Sequence, residues 1–317
     1  MIKPKEIHIV FNELSGSGKG QLICQTLVKE VKEKKLSFSL HKSCYAGHTV
    51  KIVAELVQEL NALLSSATAI LLIVGGDGTL HEALLGLGET YKHIPLAYIP
   101  AGSGNDFAKG LGISKNTSKA LEQILSVKTP REVNVIQFKE NNKKQIRYAV
   151  NNVGVGFDAS TVKQANQSTV KARLNRYHLG SLTYLISVIT VLSQQKAFPI
   201  EVVTDHQKLS FPKAFLVTVN NHPYFGGGIR ISPKASPYDN KVDLIVLEKS
   251  SVFKIIWLFL LLLADGRHLK HKDVHYIKTE NLRLYSAVRE EVQADGELLG
   301  YRTIDLQLSS SSRYFWF

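Results

Sequence analysis

The chain has 317 residues, 44% of them hydrophobic, which is enough for two domains with their own cores and too apolar for a disordered polypeptide. Its 39 basic and 27 acidic residues leave a net charge of +12, a balance that favours an acidic partner such as a nucleotide or an anionic lipid surface. Two cysteines, Cys24 and Cys44, with no CxxC spacing argue against a disulfide framework or a cysteine metal cluster, and Met1-Ile-Lys-Pro-Lys-Glu6 lacks an apolar signal core, so a cytoplasmic setting is expected.

Glu6 to Phe11 reads as a first strand, followed by the loop Asn12-Glu-Leu-Ser-Gly-Ser-Gly-Lys-Gly20 and a helix over 21–34. The loop fails as a Walker A motif, because Glu13 stands where its first glycine belongs and Gly20 follows Lys19 in place of Ser or Thr. A nucleotide-facing loop at a helix N-terminus still fits. Phe38 to Lys42 reads as a short strand, and Ser43-Cys-Tyr-Ala-Gly-His48 leads into a helix over 49–64.

Ala69-Ile-Leu-Leu-Ile-Val74 is an unbroken apolar run, as expected of a strand buried on both faces. It ends on Gly75-Gly-Asp-Gly-Thr79, after which Leu80, Ala83, Leu84 and Leu87 recur at helical spacing. A strand that turns through glycines into a helix aims free backbone N–H groups at one point, which suits phosphate. Asp77 inside that turn calls for a cation or a hydrogen-bonded ribose beside it. Thr79 is placed to cap the helix, with Glu82 at capping-box distance. A second apolar run, Ile94 to Ile99, ends on Pro100-Ala-Gly-Ser-Gly-Asn-Asp-Phe107, where Asn105 and Asp106 either bind substrate or fix the loop. Each glycine cluster alone could be a plain tight turn. The repeated alternation of strand, loop and helix predicts a parallel sheet covered on both faces, with ligands at the carboxyl ends of its strands.

After Pro130 the pattern changes to short strands: 131–138, 145–153, 200–203, 214–219, 242–247, 281–286, 289–292 and 303–308, as in an antiparallel sandwich. A helix pair over 170–194 carries an apolar stripe that suits either core or a lipid slot. Ile255 to Ala264 is too short to span a membrane and reads as a buried or interfacial helix. Asp158 reads as a helix N-cap, Asp239-Asn240 as a hairpin turn, and Asp295-Gly-Glu297 sets two carboxylates in one glycine turn. Arg313-Tyr-Phe-Trp-Phe317 is expected to dock on the fold.

Gly75 to Thr79 taken with Pro100 to Phe107 resembles the diacylglycerol kinase catalytic-domain family, in its bacterial soluble type, and the likeness extends along the chain. The first motif is shared with NAD kinases and phosphofructokinases; the second points to the lipid kinases. The resemblance implies an α/β domain with a parallel sheet over 1–129, which residues 304–317 would complete, and an antiparallel β-sandwich lipid-substrate domain over 130–303. It implies an ATP-dependent lipid kinase that uses Mg²⁺. Nucleotide contacts would come from Asn12, Ser15, Gly16, Ser17, Ser43, Gly75, Gly76, Asp77, Gly78, Thr79, Glu82, Gly102, Ser103 and Asn105. A structural Mg²⁺ would be held by the Asp239 carboxylate and the carbonyls of Ser236 and Lys241. Asp295 or Glu297 would deprotonate the lipid hydroxyl, with Asp77 as a direct or indirect partner of the nucleotide's Mg²⁺. Glu13 in place of a proline and Asn240 in place of a glycine depart from the family pattern.

A lipid substrate implies peripheral contact with an anionic membrane. Lys163, Lys171, Arg173, Arg176 and the 267–272 stretch are candidates for that contact, or form a solvated charged face. A homodimer stays open. The rival readings are an NAD kinase, which would not need Pro100 to Phe107, and a non-catalytic lipid- or nucleic-acid-binding regulator on the same fold. No stretch interleaves aromatic and basic residues as a nucleic-acid surface does, so no nucleic acid is expected. Diacylglycerol, phosphatidylglycerol, a sphingoid base and undecaprenol would all fit an apolar slot.

Overall fold

In chain order the first half alternates. Strand β1 (Glu6–Phe11), helix α1 (Ser15–Glu33), β2 (Ser37–Lys42), α2 (His48–Ser65), β3 (Ala69–Gly75), α3 (Asp77–Leu87) and β4 (Leu96–Pro100) are followed by α4 (Asp106–Leu111) and α5 (Thr117–Ser126). The computed structural model describes residues 6–141, 145–167, 195–264 and 266–317. The helix pair read over 170–194, and the side chains of Lys163, Lys171, Arg173 and Arg176, lie outside the described residues.

Strands β2, β1, β3 and β4 pair side by side, all parallel. Every residue of β3 is buried, because its two faces serve two cores. Ile70, Leu72 and Val74 meet Leu27 and Val31 of α1 and Leu121 and Ile124 of α5. Leu71 and Ile73 meet Val53 and Leu56 of α2 and Leu80 and Leu84 of α3. This is the doubly covered parallel sheet that an apolar run without alternation predicts.

The second half is an antiparallel β-sandwich. It runs β5 (Arg131–Glu140), β6 (Ile146–Ala149), β7 (Asn152–Gly156), α6 (Phe157–Gln167), β8 (Phe198–Thr204), β9 (Lys208–Asn220), β10 (Tyr224–Phe225) and β11 (Ile229–Arg230). Then come β12 (Val242–Glu248), α7 (Val252–Leu263), a 3₁₀ turn (Arg267–Lys270), β13 (Val274–Thr279), β14 (Asn281–Ala294) and β15 (Glu297–Trp316). Val155, Val202, Val217, Leu244, Leu284 and Leu306 point into its core. Helix α7 packs outside, laying Ile255, Leu258 and Leu262 over Phe215, Ile245 and Leu247.

The long strand β15 joins the halves. Over Leu306–Phe315 it pairs with β5, and over Phe315–Trp316 it runs parallel to β4. Trp316 enters one core of the first sheet while Phe315 and Phe317 enter the other.

Helices α4 and α5 and strands β10 and β11 were not read from the sequence, and other elements differ from expectation in ways that shape the site. The strand expected over 145–153 is broken between β6 and β7, because the N–H groups of Val150 and Asn151 bond to the Asp295 carboxylate instead of a neighbouring strand. Strand β13 was not read from the sequence: its middle residues are all half-buried, as at a sheet edge, and show no alternation. Helix α3 starts at Asp77 with Gly76 as its N-cap, so Thr79 lies inside the first turn and does not cap it.

Candidate active site

The two glycine loops meet at the carboxyl ends of β3 and β4. A Cβ on Gly102 would lie 2.6 Å from the Cα of Gly76, so neither loop admits a side chain at the contact. Gly16, at φ +60°, brings the first loop against the second: a Cβ there would lie 2.4 Å from the Ala101 carbonyl oxygen. Ser15 Oγ accepts the Gly76 N–H at 3.3 Å. The three loops enclose a cleft of about 380 Å³ into which the N-terminus of α3 opens.

Of the residues expected to touch nucleotide, Asn12, Ser15, Gly16, Ser43 and Glu82 line this cleft, as do Gly76, Gly78, Thr79 and Gly102. Gly75, Asp77, Asn105, Ser17 and Ser103 do not. Gly75 ends β3 against the Thr79 side chain, where a Cβ would lie 2.4 Å from the Thr79 hydroxyl. Asn105 is buried and fixes its loop, accepting the Gly102 N–H at 2.8 Å and donating to the Gly102 carbonyl at 2.8 Å. Glu82 serves neither of its two expected roles alone. Its carboxylate accepts the N–H groups of Gly47 at 2.7 Å and Thr49 at 3.1 Å, so it caps the neighbouring helix α2 from the cleft wall. Cys44, Tyr45 and Ala46 also line the cleft and were not singled out from the sequence.

Beyond Asp77 lies a second pocket of about 160 Å³, between the glycine loops and the sandwich, lined by Asp77, Asp106, Asn151, Asn152, Asp158 and Asp295 among others. Asp295 and Gly296, at φ +51° and +84°, form the two-residue turn between β14 and β15. The Asp295 carboxylate is fully engaged. Oδ1 accepts Asn151 N at 2.8 Å and Asn152 N at 3.2 Å, and Oδ2 accepts Val150 N at 2.7 Å and pairs with His81 Nδ1 at 3.0 Å. These four contacts occupy both oxygens of Asp295. His81 is the residue that sequence reasoning missed here. Burial would push its pKa down, but the Asp295 carboxylate holds it above its ordinary value. Glu297 faces the other way and lines the nucleotide-side cleft.

Asp77 differs from Asp295. Oδ2 accepts Asp106 N at 3.0 Å and Oδ1 accepts Phe107 N at 3.4 Å, so each oxygen retains bonding capacity. Burial pushes its pKa up to about 7, with the neighbouring carboxylates of Asp106 and Asp295 adding to the rise. Asp106 Oδ2 accepts Gly227 N at 2.8 Å, whereas its Oδ1 is buried with no partner among the described residues. A carboxylate oxygen in that state suits a hard cation. Asp158, which burial pushes up to about 6, accepts amide N–H groups from Asn152 at 2.9 Å and Gln293 at 2.8 Å. It also lines a third space, a narrow apolar cavity of about 40 Å³ under α7, walled by Phe157, Leu216, Phe225, Ile245 and Leu258.

The Asp239 turn lies apart from these pockets. Asn240 is left-handed at φ +56°, as the turn requires. Asp239 Oδ1 accepts Lys241 N at 3.2 Å, and Oδ2 lies 2.5 Å from Lys278 Nζ, which also approaches Asp243 at 3.8 Å and donates to the Lys234 carbonyl at 3.2 Å. An ammonium thus stands against the carboxylate expected to bind Mg²⁺, and a metal would have to displace it. Melting curves in EDTA and in added Mg²⁺ are therefore expected to superimpose. Lys278→Met, which leaves Asp239 and the buried Asp243 uncompensated, should cost about 2 kcal/mol. A Tm that rises with Mg²⁺ in the parent would reverse this expectation.

An α/β domain and an antiparallel sandwich with a glycine-loop cleft between them define a kinase fold of the diacylglycerol kinase and NAD kinase type. The comparisons agree. The family model of the diacylglycerol kinase catalytic domain matches residues 6–138, and that of the YegS C-terminal NAD kinase beta sandwich-like domain matches residues 151–309. The chain is 29% identical over 309 residues to "Putative lipid kinase YtlR" of Bacillus subtilis (strain 168), covering 95% of this chain and 96% of that one. A crystal structure of a diacylglycerol kinase from Bacillus anthracis str. Sterne has a TM-score of 0.67 at 20% identity, covering 99% of this chain and 96% of that one. Yeast NADH kinase complexed with NADH has a TM-score of 0.52 at 11% identity, covering 99% and 83%, and so shares the fold. The chain belongs to the diacylglycerol kinase catalytic-domain family of lipid kinases.

Proposed function

We propose that the protein transfers the γ-phosphate of ATP to the hydroxyl of a lipid, diacylglycerol or a relative. The observation that carries this is the order of the three spaces. The glycine-loop cleft, the carboxylate pocket and the apolar cavity succeed one another, with the Asp77-Gly78 and Asp295–Glu297 segments between the first two and Asp158 and Phe225 shared by the last two. A nucleotide in the first would present its terminal phosphate to a hydroxyl in the second, and the acyl chain would run toward the apolar third, which a shift of α7 would have to widen. Walls such as Phe157, Leu216 and Ile245 suit a hydrocarbon and would leave the polar groups of a dinucleotide unpaired, which disfavours an NAD kinase.

Asp77 takes the hydroxyl proton as the oxygen attacks phosphorus and the bond to ADP breaks. Sequence reasoning gave this role to Asp295 or Glu297. We prefer Asp77, a reading supported by the four contacts on Asp295 and by the position of Glu297 on the nucleotide side. Asp295, with His81, holds the 150–152 backbone that walls the pocket. Asp158 receives a hydrogen bond from the acceptor's polar head. Asp106, whose Oδ1 is buried without a partner among the described residues, would help hold a Mg²⁺, which would supply charge neutralisation at the phosphates. The test is transfer of radiolabelled phosphate from ATP to diacylglycerol, phosphatidylglycerol, a sphingoid base and undecaprenol in mixed micelles, with NAD in a parallel reaction. Label in a lipid is expected. Label in NAD alone would favour the rival kinase, and ATP binding without transfer would favour a regulator.

A further inference from the structure

Helix α7 has two apolar faces, and among the described residues only one of them is covered. Ile255, Leu258 and Leu262 close the apolar cavity. On the other side Phe253 is 86% exposed, Leu263 65%, Leu260 59%, and Ile256 and Trp257 48% each. These positions recur at helical spacing and make one stripe, larger than the scattered apolar residues of an ordinary surface. The helix is capped by Ser251 and tied down by an ion pair between Lys254, its one charged residue, and Asp273. Just beyond it Arg267, Lys270 and Lys272 are exposed, and the Trp257 ring meets His271 edge-on at 5.5 Å.

We infer that α7 is the element by which the protein seats itself on an anionic bilayer, its outer stripe sunk among the acyl chains and the 267–272 lysines and arginine at the headgroups. An apolar stripe flanked by cations, with a tryptophan at the boundary, is the composition of a helix lying in a membrane interface. A soluble partner would need matching apolar area, but the adjoining cations select an anionic surface. The placement also fits the cavity, since the helix that roofs it would face the phase in which a lipid substrate is dissolved. The inference rests on the lipid-kinase reading for its purpose, but not for its test.

The test uses binding without turnover. The full chain should co-sediment with phosphatidylglycerol/phosphatidylcholine vesicles and bind pure phosphatidylcholine more weakly. The chain has two tryptophans, and Trp316 is buried, so bromolipid quenching of fluorescence reports on Trp257. Phe253→Asp/Leu260→Asp, both on the exposed face, should keep the parent's melting temperature and lose at least ~30-fold in vesicle affinity. That variant should still phosphorylate dispersed short-chain diacylglycerol if the parent does. Arg267→Gln/Lys270→Gln/Lys272→Gln should bind anionic vesicles no better than neutral ones. Vesicle binding by the double aspartate variant equal to the parent's, or unquenched Trp257 in the bound state, would overturn the inference. So would a parent that ignores vesicles, or a dimer that the aspartates split while vesicle binding is unchanged. A parent that binds vesicles through α7 yet phosphorylates no lipid would overturn only the kinase reading.

Discussion

Asp77→Asn is expected to lower kcat by ~10²–10⁴-fold, the usual contribution of a positioned base, while the protein stays at least as stable as its parent. The stability half follows from the sign of the pKa shift. Burial raises the Asp77 carboxyl to about 7, above its value in the unfolded chain. Ionisation is therefore harder in the folded state, and this site loses stability as pH rises from about 4 to about 7. A neutral Asn escapes that cost and still accepts the shorter of the two N–H bonds, from Asp106; its NH₂ then faces the Phe107 N–H, whose bond to Asp77 is already long at 3.4 Å, so the loss there is the smaller of the two. Without nucleotide or Mg²⁺ at pH 8, the variant's Tm should equal or exceed the parent's. Normal turnover would remove Asp77 from the proton transfer, and a large fall in Tm would mean that it mainly holds the loop.

Asp295→Asn should fail in the opposite way, losing stability and activity together. The substitution keeps the shape but puts an NH₂ group against hydrogen-bond donors. At least one of the Val150, Asn151 and Asn152 N–H groups or the His81 ring is left facing another donor in a buried site. The cost is about 3 kcal/mol or more. Hydrogen exchange at 150–152 should quicken with it, and kcat should fall at least ~10²-fold because the pocket wall moves. A variant with the parent's Tm and exchange but no turnover would return the base to Asp295.

The parallel sheet was legible because its signal is local. Ala69–Val74 is apolar without alternation and glycines end it, so strand, turn and helix follow from one stretch of chain. The Asp295-Gly296 turn was equally plain as a hairpin signal. What that carboxylate bonds was not legible, because its partners, His81 and the 150–152 backbone, lie far away in sequence and meet it only through the fold. Glu82 shows the same limit: its spacing from Thr79 suggested a cap on its own helix, yet it caps α2, which packs alongside α3. Ile255–Ala264 was read as buried or interfacial, and α7 is apolar enough to present a face to each.

Strand β15 has a consequence for how the protein is made. The edge of β4 stays open until Phe315 and Trp316 arrive, and these residues leave the ribosome only after the whole sandwich has been synthesised. Through most of translation the nascent N-terminal half therefore carries an unpaired, wholly apolar strand edge, Leu96–Pro100, of the kind that recruits foreign strands. Cleavage after Ser312 would leave the finished molecule in the same condition, so a chain cut there should aggregate through its nucleotide-binding half while the sandwich stays folded.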